Sequence, residues 1–347
     1  MSDITPTDAG PWQAIHVFYA SSTRPLLTEC VRPMVDGLVA DGLVSGYFFI
    51  NYWLEGPHLR LRLKPSSMAA VDPVRRRASA AIEDFLRTRP ALFEVKDGFF
   101  GELYATLFEL EYTPEEREQL TGADGAMRLR PNNSHSFEAY EPEYGKYGGP
   151  AGIALAEWHF QHSSDLVMEL VRTMNVHLRT VLLGLCAQLM TVMAGCFIPD
   201  DEALVRFLER YHAFWDAAFH TTDLTAAKGY EHAYDQTAGV LGPRIHSIRR
   251  EVAEGRGEQL PGFLGAWAAH CTELRDRAQA LADRGELVFR SWSGDELFQP
   301  DTSEQALAML LSPYLHMTNN RLSATVRDEA FLSYVLARAL REQAVPR

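Results

Sequence analysis

The sequence predicts an α+β fold: an antiparallel β-sheet with flanking helices in the first 150 or so residues, followed by an almost wholly helical remainder. Three observations carry this. The aromatic and β-branched run Gly46 to Trp53 (GYFFINYW) and the strictly alternating run His58 to Lys64 (HLRLRLK) flank the turn formers LEGP, which is a hairpin pattern. Trp12 to Tyr19 (WQAIHVFY) is a further β-rich run. From Ala151 onward apolar residues recur at helical spacing, which places helices at about 151–172, 174–196, 200–219, 225–254, 262–284, 303–316 and 323–342.

Between the first strands, Pro25 to Gly42 reads as a helix, with proline in its first turn and glycine as its stop. Pro73 to Arg89 returns to helical spacing, and Leu92 to Glu111 reads as extended. The segment TPEEREQL then opens a helix at Thr113 with a cap, a proline and an acidic first turn. Met127 to Pro150 is rich in turn formers and acids and reads as loop with one short strand. With no repeat, low-complexity tract or flexible linker, the expectation is one α+β unit, sheet-rich over 1–150 and helical over 151–347.

A hydrophobic share of 46% supplies ample core material, and a formal net charge of -13 disfavours direct nucleic-acid binding, which calls for an excess of Lys and Arg. MSDITPTDAGPW lacks the basic and apolar regions of a signal peptide. The longest apolar run, Val181 to Ile198, is interrupted by Gln188 and two glycines and reads as a core helix rather than a membrane span. Cys30, Cys186, Cys196 and Cys271 are scattered without CxxC pairing, consistent with reduced thiols and a cytoplasmic protein. No phosphate-binding loop, dinucleotide fingerprint, GxSxG elbow or HExxH motif occurs, so no cofactor is expected. His159 and His162, three apart, lack a third ligand close in sequence and read as helix-surface histidines rather than a zinc site.

Three clusters are candidates for chemistry. In HLRLRLK the period of two sends Leu59, Leu61 and Leu63 to one face and His58, Arg60, Arg62 and Lys64 to the other. Four basic groups in a row suit carboxylates, which guanidinium forks bind with two parallel donors; the alternative is a half-buried strand with a solvated polar face. The loop YEPEYGKYGGP offers Glu141, Glu143, Tyr144 and Lys146 as acids, bases and substrate contacts before a glycine pair suited to a tight turn, or else simply hydrates the surface. In SPYLHMTNNRL, His316 and Arg321 flank an expected helix break at Thr318-Asn319-Asn320. His316 either moves protons there or is a hydrogen-bonded core histidine.

In this order, FFINYWLEGPHLRLRL (48–63), YEPEYGKYGGP (140–150) and HMTNNRL (316–322) resemble the glutamate-elimination domain that ends lanthipeptide and thiopeptide dehydratases, also found as a separate protein. The resemblance implies an α+β fold and a lyase acting on a ribosomally made precursor peptide, leader plus core. A separate, glutamyl-tRNA-dependent partner would esterify Ser or Thr with glutamate, since 347 residues leave no room for that large domain. This chain would then expel glutamate to leave dehydroalanine or dehydrobutyrine. It implies that Arg60 and Arg62 hold the glutamate, that His316 transfers a proton, and that Arg321 supports the same pocket. Many relatives carry arginines in the loop, as in YEREIERYGG, where this chain has Pro142 and Lys146. The same fold also serves thiopeptide pyridine synthases, which join two dehydroalanines in a formal aza-[4+2] cycloaddition and expel the leader, and this is the second reading. A third is a leader-binding subunit that docks the peptide on a strand edge. The long apolar helices could also form a homodimer face or fill a core.

Overall fold

The computed structural model describes residues 9–93, 107–109, 112–122, 127–218, 224–291 and 296–344. The chain divides into two compact units, Met1–Glu141 with Val167–Thr173, and Pro142–Leu166 with Met174–Arg347.

The first unit is built on a four-stranded antiparallel sheet of β1 (Gln13–Phe18), β2 (Val44–Tyr52), β3 (His58–Pro65) and β4 (Ser134–Glu138), in the order β2-β3-β1-β4. The expected hairpin is β2 and β3, with Tyr52 opposite His58 and Phe48 opposite Arg62. Leu59, Leu61 and Leu63 are fully buried, as are Ile15 and Val17 beside them on β1. The helix α2 (Val71–Thr88) presents Val74, Ala78, Ile82 and Phe85 at intervals of three or four residues and packs on β1, β3 and β4. The expected first helix runs from Thr23 to Ala40, π-helical over Leu26–Val31 and ending as α1 (Arg32–Ala40). Thr113 caps α3 (Pro114–Leu120) in a reciprocal capping box with Glu116. Most of the expected extended stretch from Leu92 lies outside the described residues; residues 107–109 within it are helical, a local departure.

The second unit opens with one helical turn, α4 (Tyr144–Tyr147), and continues through α5 (Gly149–Thr173), α6 (Arg179–Phe197), α7 (Asp201–Ala218), α8 (Leu224–Ala253), α9 (Phe263–Asp283), α10 (Ser303–Arg321) and α11 (Val326–Ala344). Two short strands, β5 (Phe289–Arg290) and β6 (Leu297–Phe298), form a small hairpin that the sequence pattern did not announce. The long apolar run is α6, long and apolar enough to cross a membrane, yet buried from Leu185 to Phe197, except at Gln188, against α8, α9, α10 and α11.

The expected break at Thr318-Asn319-Asn320 does not occur: α10 continues to Arg321 with Thr318, Asn319 and Arg321 buried, and the Thr318 hydroxyl donates to the Tyr314 carbonyl (2.9 Å). The helix stops there, with Leu322 as its C-cap. Ser323 takes φ 66°, and the amides of Ser323 and Ala324 bond the carbonyls of Asn320 (2.9 Å) and Asn319 (3.1 Å). That is a Schellman stop. Thr325 then starts α11: Asp328 accepts from the Thr325 amide (2.8 Å), and the Thr325 hydroxyl accepts from the Asp328 amide (3.2 Å).

Candidate functional site

In the first unit, sheet register turns the basic half of HLRLRLK into a continuous patch. His16 on β1 stands opposite Arg60, and Ile50 and Phe48 on β2 stand opposite Arg60 and Arg62. The polar face is not simply solvated: His58 and Arg62 are 4% and 6% exposed, while Arg60 and Lys64 are half-buried.

Each cation lies against an aromatic ring. The Arg60 guanidinium is 3.4 Å from the Tyr52 ring centre, Arg62 is 5.6 Å from Tyr140, and the Lys64 ammonium is 5.3 Å from Trp12. The ring of His58 is held twice. Its Nδ1–H donates to the Gly56 carbonyl (2.8 Å), and its Nε2 accepts from Arg60 Nε (3.2 Å). His58 is thereby committed to orienting Arg60. Nε2 of His16 accepts from an Arg62 terminal nitrogen at 3.4 Å.

Burial, then the Arg60 guanidinium, holds the His16 imidazole down at about 2. Burial holds His58 at about 3 against the opposing Gly56 hydrogen bond. Burial and Arg60 bring the Arg62 guanidinium down to about 10, leaving it charged at neutral pH. Among the described residues no carboxylate forms an ion pair with Arg60 or Arg62, and Arg62 Nε is buried without a hydrogen-bond partner. A desolvated cation with an unused donor is matched to an incoming anion. A cavity of about 370 Å³, lined by Phe18, Gly56, Pro57, Arg130 and Asn132 among others, lies at the His58 end of this face.

The depressed histidines set a stability prediction. Both are neutral when folded and titrate near 6.5 when unfolded, so below about pH 6.5 the unfolded chain binds more protons and stability is lost as pH falls toward the folded values. Lowering the pH from about 7 to about 6 is expected to reduce the unfolding free energy by about 1 kcal/mol for the two together. Denaturant titrations at the two pH values measure this.

The second unit holds the other candidates. Glu143, Tyr144 and Lys146 are exposed, and Lys146 reaches Glu143 at 3.5 Å; Glu141, at the end of the first unit, is exposed too. The glycine pair turns as expected, Gly148 at φ 85° and Gly149 at φ 81°, and the Gly148 carbonyl accepts from the Val288 amide (3.2 Å). His316 donates from Nδ1 to Glu329 Oε1 (2.8 Å), Glu329 Oε2 accepts from the Tyr211 hydroxyl, and the Trp215 ring lies 5.1 Å from the imidazole. Arg321, expected to support the pocket of His316, takes different partners. At 1% exposure it donates to Ser164 Oγ (3.2 Å) and the Met317 carbonyl (2.8 Å) and faces the Phe160 ring.

His159 departs from the expected helix surface. It is fully buried and 2.9 Å from His270, because α9 closes over that side of α5. His162 bonds the Trp158 carbonyl, and among the described residues no group of three or more potential metal ligands forms.

Sequence reasoning missed Glu329, Tyr211, His16 and the seating of the cations on the rings of Tyr52, Tyr140 and Trp12. Trp12 and His16 share a parity along β1, so a strand reading could have placed them on one face; Glu329 carried only the signal of an acid in a helix's first turn.

A search of curated protein sequences found no match to the chain. Among solved structures it is similar to a pyridine synthase, TbtD, from thiomuracin biosynthesis, at 19% identity and TM-score 0.74 over 96% of this chain and 98% of that one. It is also similar to TsrL, at 18% identity and TM-score 0.65 over 97% and 95% of the two chains. The tRNA-dependent lantibiotic dehydratase MibB from Microbispora sp. 107891 matches at 17% identity and TM-score 0.55, over 99% of this chain and 29% of that one. Matched over residues 12–340 by the lantibiotic biosynthesis dehydratase C-terminal profile, the chain belongs to that family.

Proposed function

We propose that the protein is a peptide-tailoring lyase that eliminates glutamate from glutamylated Ser or Thr of a precursor peptide. The observation that carries this reading is Arg62, a buried cation beside Arg60 with a free donor and no internal carboxylate among the described residues.

In the reaction a base removes the α-proton of the esterified residue, and that electron pair becomes the new Cα=Cβ bond. The Cβ–O bond breaks, and glutamate departs as a carboxylate carrying the former hydroxyl oxygen. Arg60 and Arg62 would receive the glutamyl carboxylate and stabilise the charge that develops on departure. His316 would take the proton. His58 orients Arg60, and the more exposed Lys64, Glu141, Glu143, Tyr144 and Lys146 would contact the peptide away from the reacting bonds. Arg321, held by Ser164 and Met317, would support the helix that carries His316.

A second reading, pyridine synthase, is favoured by the loop. Pro142 offers no charge and Lys146 is engaged by Glu143, where the eliminating relatives described above have arginines. The readings separate by mass spectrometry of the purified protein with two synthetic substrates. Glutamate loss from a glutamylated precursor is the expected result. Leader release from a bis-dehydroalanine precursor, without glutamate loss, would establish the second reading. Leader binding with neither reaction would leave only a peptide-binding role.

A further inference from the structure

We propose that Glu329 is the positioning residue for His316, fixing the imidazole as the Nδ1–H tautomer so that Nε2 is the atom that takes the proton. This rests on the reading of His316 as the proton-moving group.

The argument begins with the cost of the carboxylate. Glu329 is 0% exposed, and a charge so placed is tolerated only when its oxygens are satisfied. Both are: Oε1 by Nδ1 of His316 at 2.8 Å and Oε2 by the Tyr211 hydroxyl. Held at both ends, the carboxylate has one orientation. The start of α11 also favours a negative charge in its first turn. An ionised carboxylate only accepts, so the imidazole nitrogen facing it must carry hydrogen. In the neutral ring the lone pair then belongs to Nε2, which has no hydrogen-bond partner among the described residues, and the side chain keeps 24% exposure. The Trp215 ring, 5.1 Å away and inclined by 35°, restricts rotation of the imidazole.

The backbone explains why these two residues, thirteen apart, meet. The Schellman stop after Arg321 and the Thr325–Asp328 capping box leave a tight connection between α10 and α11. One extra residue in this connection would turn Glu329 away from His316, since each residue rotates a helix by about 100°. Tyr211 approaches from α7, and His212 beside it bonds the Ala330 carbonyl at 2.8 Å, which ties α7 to the same turn of α11. A carboxylate serving only to fill the core would not need an imidazole that retains a solvent-accessible edge.

The test is nitrogen NMR of the full-length protein labelled at histidine, recorded at rising pH until the His316 signals no longer move, with those signals identified by their loss in His316→Asn. The wild-type protein is expected to carry hydrogen on Nδ1 and a bare Nε2. In Glu329→Gln, whose amide can donate where the carboxylate could only accept, Nε2–H should become the main form. Glutamate elimination should then fall about 10- to 100-fold in kcat with KM little changed. Glu329→Asp, which keeps an acceptor, should retain the wild-type tautomer and partial activity.

A wild-type His316 protonated on Nε2 overturns the proposal whatever the activity, and so does an unchanged tautomer and kcat in Glu329→Gln. If Glu329→Gln does not fold, the wild-type and Glu329→Asp spectra decide. Failure of the wild-type protein to release glutamate, with the tautomer as expected, overturns the elimination reading alone.

Discussion

Arg62→Met is expected to lower glutamate elimination by about 100-fold or more while leaving the protein as stable as before, or more so. The two effects have opposite origins. Arg62 is a nearly dry cation whose Nε lacks a partner, so the folded protein carries its desolvation cost without an internal ion pair among the described residues. A methionine of similar reach removes that cost, and replacing buried charges by apolar groups is neutral or stabilising by about 1–4 kcal/mol in other proteins. The substrate loses in the same exchange, because a desolvated carboxylate deprived of its charged donor gives up about 2–5 kcal/mol. Thermal unfolding and single-turnover mass spectrometry on one preparation test both halves. A variant that loses stability and activity together would mean that Arg62 is structural. Retained activity would remove it from the site.

Gly152→Ala is expected to destabilise the second unit by about 3 kcal/mol or more, through overpacking. A Cβ built on Gly152 would sit 1.7 Å from the Tyr147 carbonyl oxygen and 3.3 Å from Leu287. The closer neighbour is backbone, so no side-chain rotation can relieve it. Relief would have to move the turn that joins α4 to α5, whose Gly148 carbonyl is bonded to Val288 on the approach to β5. Gly184→Ala, at a helical glycine with open space around it, is the control and should be neutral or slightly stabilising. Circular dichroism melts of the two variants make the comparison, and equal melting temperatures would refute the steric argument.

What could be read from the sequence followed the range of each signal. The HLRLRLK alternation is set by strand geometry alone, so its division into a leucine face and a basic face was visible without knowing any partner strand. Thr113 and Glu116 are three residues apart, and their capping box was equally local. The glycine pair announced a tight turn for the same reason. Tyr52 meets Arg60 across the expected hairpin, whereas the rings of Trp12 and Tyr140, next to β1 and β4, meet Lys64 and Arg62 through strands distant in sequence, which only the register reveals. Thr318-Asn319-Asn320 misled because local polarity suggested a break, whereas Asn319 is wholly buried and the helix is held by its surroundings. His159 misled in the opposite sense: two histidines on a helix say nothing of which neighbour covers them.

The cations of β3 rest against flat aromatic rings rather than beside acids, and the two histidines among them stay neutral down to about 3 while Arg62 stays charged up to about 10. Between those limits this histidine and arginine core holds a constant charge. Binding of a carboxylate here therefore has no proton of its own to release or take up over the working range of an enzyme. Under the proposed elimination, a bend in the rate against pH near neutrality would therefore come from groups other than these three, and the pH profile would report on those groups.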